Sequence, residues 1–339
     1  MSGFREFENL KKYTTFRIGG NARYFFVLKN VEELPLILEK QKETNLPVFI
    51  LGGGSNVIVS DSDLNCIVVK NEIMGIETIK ETEDQVFLSV GAGESWDGFV
   101  QHCVEGGFAG VEALSAIPGT VGGAPIQNIG AYGSEVSETI KSVEVFDLVE
   151  NKSKIILGQD CEFSYRDSIF KKNKNRFIVL KVNFVLLKSA LAKAPDYPGV
   201  KDFLKEEKAK IEEIRETIIK IRASKLPDPN LIHNVGSFFK NTVVKESFFN
   251  DLKNKFPDIK SFKEGDGYIK IPTGWLIEKA GLKGQSFGQI LIYEKNALVL
   301  VNKGGASSQD VVNVSNKIKD IVKEKFGVEL EIEPGFVGF

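Results

Sequence analysis

The chain has 339 residues, 42% hydrophobic and 27% charged, with a formal net charge of −2. That length predicts two or three subdomains, and the near-neutral charge leaves no electrostatic footprint for nucleic acid. Three scattered cysteines, Cys66, Cys103 and Cys161, argue against a disulfide framework and point to the cytoplasm, and with only His102 and His233 as imidazoles a metal centre is not expected.

The first residues, Met1 to Lys12, mix charges with single Phe residues and lack the apolar core of a signal peptide. No later run approaches the roughly 20 apolar residues of a membrane span, so neither export nor insertion is expected. Leu46 to Leu51 reads as a buried strand that runs into Gly52-Gly53-Gly54-Ser55-Asn56. Val57-Ile58-Val59 returns at once to strand character, whereas a Rossmann fingerprint continues as a helix. Glycines after a strand let backbone N–H groups converge on an anion such as a pyrophosphate, although a plain tight turn has the same pattern.

Strand signals follow at Cys66 to Lys70 and Gln85 to Gly91. Ser95 to Glu105 then repeats Trp96, Phe99, Val100 and Cys103 at helical spacing. His102 beside Cys103 is read as two helix residues pointing apart, not as a catalytic dyad. The tract from Ile117 to Gly133 is too apolar for a linker and too rich in Gly and Pro for a regular element, which predicts an ordered loop wrapped around a ligand. Strand patterns return at Ser142 to Val149 and Arg176 to Leu187, and Lys188 to Pro198 reads as a surface connection. A boundary near residue 205 is expected. Lys201 to Ser224 reads as an amphipathic helix stopped by Pro227 and Pro229, its charges a solvated face. A smaller α/β unit follows, with a helix from about Gln309 to Lys325 and a terminal strand from Val328 to Glu333.

Gly54-Ser55-Asn56 and the tract Ile117 to Gly133, with Tyr165-Arg166-Asp167-Ser168, Lys225-Leu226-Pro227-Asp228-Pro229, Gly236-Ser237-Phe238-Phe239-Lys240-Asn241 and Gly274-Trp275-Leu276-Ile277, resemble the UDP-N-acetylenolpyruvoylglucosamine reductase family in order and over nearly the whole chain. The resemblance implies an α+β fold. Its vanillyl-alcohol-oxidase/PCMH-type FAD-binding domain has two α/β subdomains, residues 1–65 and 66–205, followed by a smaller C-terminal α/β substrate-binding domain, 206–326. A strand at about 327–339 returns to the first subdomain. FAD is expected to be non-covalent, since neither glycine segment holds a His or Cys. Its binding residues would be Gly52, Gly53, Gly54, Ser55, Asn56, Ile117, Pro118, Gly119, Thr120, Gly122, Gly123, Asn128 and Ala131.

The reaction so implied is NADPH-dependent reduction of UDP-N-acetylglucosamine enolpyruvate to UDP-N-acetylmuramate in peptidoglycan synthesis. Hydride passes from flavin N5 to the methylene carbon, and negative charge develops on the substrate carboxylate. Arg166 matches the family's active-site arginine and suits that charge. Ser237 matches the proton donor to the enol carbon. Glu333 matches the active-site glutamate by its distance from Phe326. Glu329, Glu331 and Glu333 alternate along one predicted strand and would share a side, which leaves Glu331 as the alternative. A carboxylate beside a forming enolate must be protonated or must position Arg166 or a water. Tyr197, Lys225 and Asn241 carry over as substrate-binding residues, and Tyr197 marks the subfamily with a tyrosine loop. NADPH and substrate would alternate in one cleft of a monomer. The rival readings are a non-catalytic nucleotide-sugar sensor and a flavin oxidase with another substrate on the same fold.

Overall fold

The computed structural model describes residues 3–339. Its contacts divide the chain into two units: one of residues up to Glu8, Asn21–Gly54 and Asp63–Ser224, the other of Asn9–Gly20, Ser55–Ser62 and Lys225–Phe339. These boundaries differ from divisions at 65 and 205.

The first unit opens with strand β1 (Asn21–Leu28), helix α1 (Leu34–Thr44), β2 (Val48–Leu51) and β3 (Leu64–Asn71). β3 is paired in parallel with β1 on one side and β2 on the other, in a four-stranded sheet that strand Arg5–Asn9 completes. Cys66, Ile67, Val68 and Val69 are all buried in β3, the continuous apolar run of a parallel strand covered on both faces. A second, six-stranded sheet is antiparallel. It sets β7 (Lys152–Leu157), β6 (Ile140–Asp147), β8 (Phe177–Lys188), β5 (Gln85–Gly91) and β4 (Ile76–Glu81) side by side, and Phe108–Ala109 pairs with the end of β8.

Against that second sheet packs helix α2 (Trp96–Glu105), with Ser95 as N-cap accepting from Gly98 N–H. Cys103 is fully buried in α2 and His102 is exposed, so the adjacent pair makes no dyad. Helix α3 spans Ile211–Lys225, not Lys201 to Ser224. The shortening has a physical reason: the apolar repeat starts at Ile211, and the charged residues before it form strand Lys208–Lys210, paired with Leu191–Lys193 in the stretch expected to be a plain surface connection. α3 belongs with the first unit because Ile211 joins its core and Arg215 grips Asp97 of α2 at 2.6 and 3.0 Å.

The second unit contains β9 (Asn234–Ser237), β10 (Thr242–Lys245), β11 (Tyr268–Ile271), helix α4 (Thr273–Lys279), β12 (Ile290–Ile292), β13 (Val299–Asn302) and helix α5 (Ser308–Phe326). β9, β13, β12 and strand Ser286–Phe287 form one sheet; β10, β11 and Phe262–Lys263 form another. Ser307 and Asp310 close a capping box on α5, whose Val311, Val314, Ile318 and Val322 enter the core. The terminal strand is Gly335–Val337, parallel to Val57–Val59, not Val328 to Glu333. Residues 331–333 run extended along Phe238–Lys240, with Lys240 N–H donating to Glu331 O at 2.9 Å and Glu333 N–H to Phe238 O at 3.0 Å. A single bridge, Phe239 to Ile332, does not make a ladder.

Candidate active site

β2 ends at Leu51, and the glycines after it lie against the second glycine tract. A Cβ on Gly53 would stand 2.8 Å from Gly119 Cα, and one on Gly52 would stand 2.9 Å from Thr120 Oγ1. The two tracts are therefore in backbone contact that only glycine allows. Hydrogen bonds brace the second tract from behind: Trp96 N–H donates to Gly119 O at 3.1 Å, Val121 N–H to Glu94 O at 2.8 Å and Gly122 N–H to Ala92 O at 2.8 Å. Among the described residues, the half-buried N–H groups of Gly53, Gly119 and Thr120 meet no acceptor in the chain. Donors left open in a glycine-walled cradle fit the pyrophosphate of a dinucleotide.

The other expected cofactor residues divide by what they already do. Gly122 N–H is bonded to Ala92 O behind the tract and Gly123 N–H to Thr120 O within it, and Ala131 pairs with Ser134. Asn128 is fully buried; its amide donates to Glu135 at 2.6 Å and Ser164 O at 3.3 Å and accepts from Ser137 N–H at 3.1 Å. Its side chain is a clamp within the protein. Ile117, Pro118 and Gly54 lie in the same unit as the cradle, whereas Ser55 and Asn56 begin a segment of the second unit, where Asn56 O accepts from Gly335 N–H at 2.9 Å.

Arg166 sits at the tip of a turn closed by reciprocal Ser164–Asp167 backbone bonds of 3.2 and 3.1 Å, and its φ is +55°. An arginine held in the left-handed region is strained, and such strain collects at functional sites. Its guanidinium donates to Gly130 O at 2.9 Å, and Ser168 Oγ donates to Ile126 O at 2.6 Å, so this turn is pinned to the glycine tract.

In the second unit, Ser237 ends β9, half-buried and opposite Val299. The backbone of Glu333 is bonded to that of Phe238, which places it beside the serine loop. The three alternating glutamates do not share an environment. Glu329 pairs with Lys323 at 2.7 Å on the surface, Glu331 is exposed and ion-paired with Lys240, and Glu333 is half-buried. Asn241 Oδ1 accepts from Thr273 N–H at 3.1 Å, at the start of α4. Lys225 is exposed at the end of α3.

One cluster was missed by the sequence reading, which took the charges of α3 for a solvated face. Arg222 is half-buried, with Nε donating to Ala116 O at 3.2 Å and its guanidinium bonded to the Tyr132 phenol. The Tyr132 ring packs edge-on against Tyr197 at 5.3 Å. Asp97 accepts from Ala116 N–H at 2.5 Å as well as from Arg215. Burial works against its charge, but the bonds from Arg215 and Ala116 outweigh burial and hold the carboxyl below its usual range. The available signal was two arginines seven apart on a helix, Arg215 and Arg222, alongside the buried isoleucines.

Residues 228–337 match the family model for the UDP-N-acetylenolpyruvoylglucosamine reductase C-terminal domain, and residues 22–151 match that for an FAD binding domain. The chain is 39% identical to the UDP-N-acetylenolpyruvoylglucosamine reductase of Flavobacterium johnsoniae, over 96% of this chain and 97% of that one. The reductase of Bdellovibrio bacteriovorus is 40% identical over the same shares. The chain belongs to the UDP-N-acetylenolpyruvoylglucosamine reductase family.

Among solved structures, the reductase of Thermus caldophilus superposes with a TM-score of 0.68, 24% identity and 99% coverage of both chains. p-Cresol methylhydroxylase superposes with a TM-score of 0.51 at 11% identity, covering 96% of this chain and 83% of that one. The fold is thus the α+β, vanillyl-alcohol-oxidase/PCMH type expected from the motifs. The FAD-domain match contains both glycine segments, and the C-terminal match contains Ser237, Asn241 and Glu333. Arg166, Tyr197 and Lys225 fall between the two matched segments, and the whole-chain relatives cover them.

Proposed function

We propose that Arg166, Ser237 and Glu333 carry the family's reaction in this chain, with FAD in the glycine cradle. The chain is an FAD-dependent oxidoreductase of peptidoglycan synthesis that reduces UDP-N-acetylglucosamine enolpyruvate to UDP-N-acetylmuramate with NADPH. The observation that carries the site assignment is the pair of interlocked glycine tracts, with open N–H groups at Gly53, Gly119 and Thr120 and Arg166 pinned to Gly130 O at 2.9 Å.

When bound, FAD would supply the hydride chemistry, taking reducing equivalents from NADPH for the methylene carbon of the enol ether. The N–H groups of Gly53, Gly119 and Thr120 would hold its pyrophosphate, with Gly52, Gly54, Ser55, Asn56, Ile117 and Pro118 as the other residues of the loops. Arg166 stabilises the charge that develops on the substrate carboxylate, and its fixed backbone avoids reorganisation during the step. Ser237 Oγ gives its proton to the enol carbon, a base strong enough to take it from a neutral hydroxyl; solvent then restores the proton. Glu333 orients these groups or a water. Glu331 is exposed at the surface, whereas Glu333 is half-buried with its backbone bonded to Phe238 next to Ser237, which supports Glu333 as the active-site carboxylate.

Tyr197, Lys225 and Asn241 bind the substrate: the tyrosine covers the nucleotide and the lysine meets the diphosphate, while Asn241 is held at the start of α4, where its oxygen accepts from Thr273 N–H at 3.1 Å. In functional terms residues 1–65 and 66–205 are the FAD-binding subdomains and 206–326 the substrate-binding domain. NADPH and substrate take turns, which gives ping-pong kinetics, and the chain acts as a monomer. No helix of the described residues is long and apolar enough to cross a membrane. The three cysteines are free thiols, with burial pushing Cys66 up to about 11, and this supports a cytoplasmic setting.

The test is anaerobic: protein reduced with NADPH is mixed with UDP-N-acetylglucosamine enolpyruvate, and return of flavin absorbance is timed. Wild type should reoxidise rapidly, and Ser237→Ala should be slower by about 10²–10⁴-fold, the contribution of a general acid. Flavin that accepts electrons from NADPH and ignores this substrate would refute the reading.

A further inference from the structure

We infer that Asn234 is a positioning residue for proton transfer by Ser237, an inference that rests on the role proposed for Ser237. Asn234 is 4% exposed, and its amide is engaged at both ends. Nδ2 donates to Ile232 O at 2.7 Å and to Pro227 O at 3.2 Å, and Oδ1 accepts from Gly236 N–H at 2.8 Å. Pro227 follows closely on Lys225, and Gly236 immediately precedes Ser237. One buried side chain thus ties the lysine loop to the turn that presents the proton donor.

The backbone at that turn departs from the regular ladder. Asn234 lies opposite Val301 and Ser237 opposite Val299, so Val235 and Gly236 stand against Leu300 alone. This is a β-bulge, a device that bends a strand and re-aims the side chain after it. Gly236 adopts φ +72°, a conformation open to glycine at little cost. Its N–H donates to the Asn234 amide oxygen instead of to β13; without that acceptor a backbone donor would lose its partner and the turn its lock. Phe238 N–H resumes the ladder by donating to Leu298 O at 2.8 Å, so the irregularity is confined to the residues that set the direction of Ser237.

A merely structural role predicts lower thermal stability or equal slowing of both half-reactions. A positioning role predicts a split between them. FAD-loaded Asn234→Ala, reduced with NADPH and mixed with UDP-N-acetylglucosamine enolpyruvate, should reoxidise on the order of 10²-fold slower than wild type, the cost of a misplacement of about 1 Å. The solvent isotope effect on that step should rise, and the rate of reduction by NADPH should stay at the wild-type value. Gly236→Ala probes the same turn while keeping Asn234. A Cβ there meets no atom within 4 Å, so the change acts through the backbone conformation alone. It should give the same split with a smaller slowing, and it decides the matter if Asn234→Ala does not fold.

Equal slowing of both half-reactions, or wild-type reoxidation in the folded variants, would overturn the inference. Ser237→Ala run alongside separates the two failures. Wild-type reoxidation in Ser237→Ala removes the proton donor and the inference with it, whereas slow Ser237→Ala beside fast Asn234→Ala and Gly236→Ala removes the positioning role alone.

Discussion

The glycine cradle of the first unit and the serine turn of the second use glycine in opposite ways. At Gly53 the absent Cβ is a matter of space, because Gly119 Cα lies where the methyl would crowd it, at 2.8 Å. At Gly236 there is space for a methyl, and the requirement is the φ of +72°. The cradle offers backbone donors whose positions are set by the contact of two chain segments. The turn offers one hydroxyl whose direction is set by a bulge and a buried amide. A cradle of the first kind fails by losing its ligand, and a turn of the second kind fails by losing rate while the ligand stays.

That contrast can be tested from the larger effects to the smaller. Arg166→Lys keeps the charge but loses the planar fork, and reoxidation by substrate should slow by about 10²–10³-fold in stopped-flow measurements, with FAD retained. If Arg166→Lys instead released FAD, the arginine would belong with the cradle and the division would break. Gly53→Ala should do the converse. Overpacking of about 1–3 kcal/mol against Gly119 weakens FAD affinity by roughly 10–100-fold, read by titrating the apoprotein, while molecules that do hold FAD turn over normally.

A smaller effect concerns a site far from either device in role. Asp147 has a fully buried side chain that accepts from Arg176 at 2.8 and 3.1 Å and from Lys154 at 2.8 Å, and hydrogen bonding from Arg176 holds its carboxyl well below the usual range. Because the folded-state pKa is depressed, this stabilisation is fully present above the unfolded value of about 4 and is lost as pH falls through the folded one. Asp147→Asn should lower stability by about 1–3 kcal/mol near neutrality. Thermal melts should show the difference shrinking in acid, with activity per folded molecule and FAD content unchanged.

Much of the site was legible because its chemistry is written in local sequence. A strand ending in three glycines and a Gly-Pro tract too apolar for a linker both signal an ordered loop, and both loops lie in the cradle. Arg166 and Ser237 were legible only through the order of the motifs around them. An Arg before an Asp, or a Ser after a Gly, has no chemistry of its own until packing gives it a direction. The reading failed where neighbours in space are distant in sequence. α3 was started too early because the charges of Lys201 to Lys210 carry no sign of the strand Lys208–Lys210 forms with Leu191–Lys193. Its arginines were taken for solvated side chains because Asp97, Ala116 and Tyr132 cannot be seen from the helix.

By itself the sequence determined the α+β class, the family and the two glycine loops, since each rests on residue type, motif order and near-neighbour spacing. Tertiary structure alone decided that Gly53 meets Gly119, that Arg166 is held in a left-handed conformation against Gly130, that Glu331 is drawn off by Lys240 while Glu333 lies beside the serine loop, and that Asn234 locks the turn before Ser237. Each of these depends on which segments pack or pair. A period of two or 3.6 residues reports the face of an element, not the element it faces.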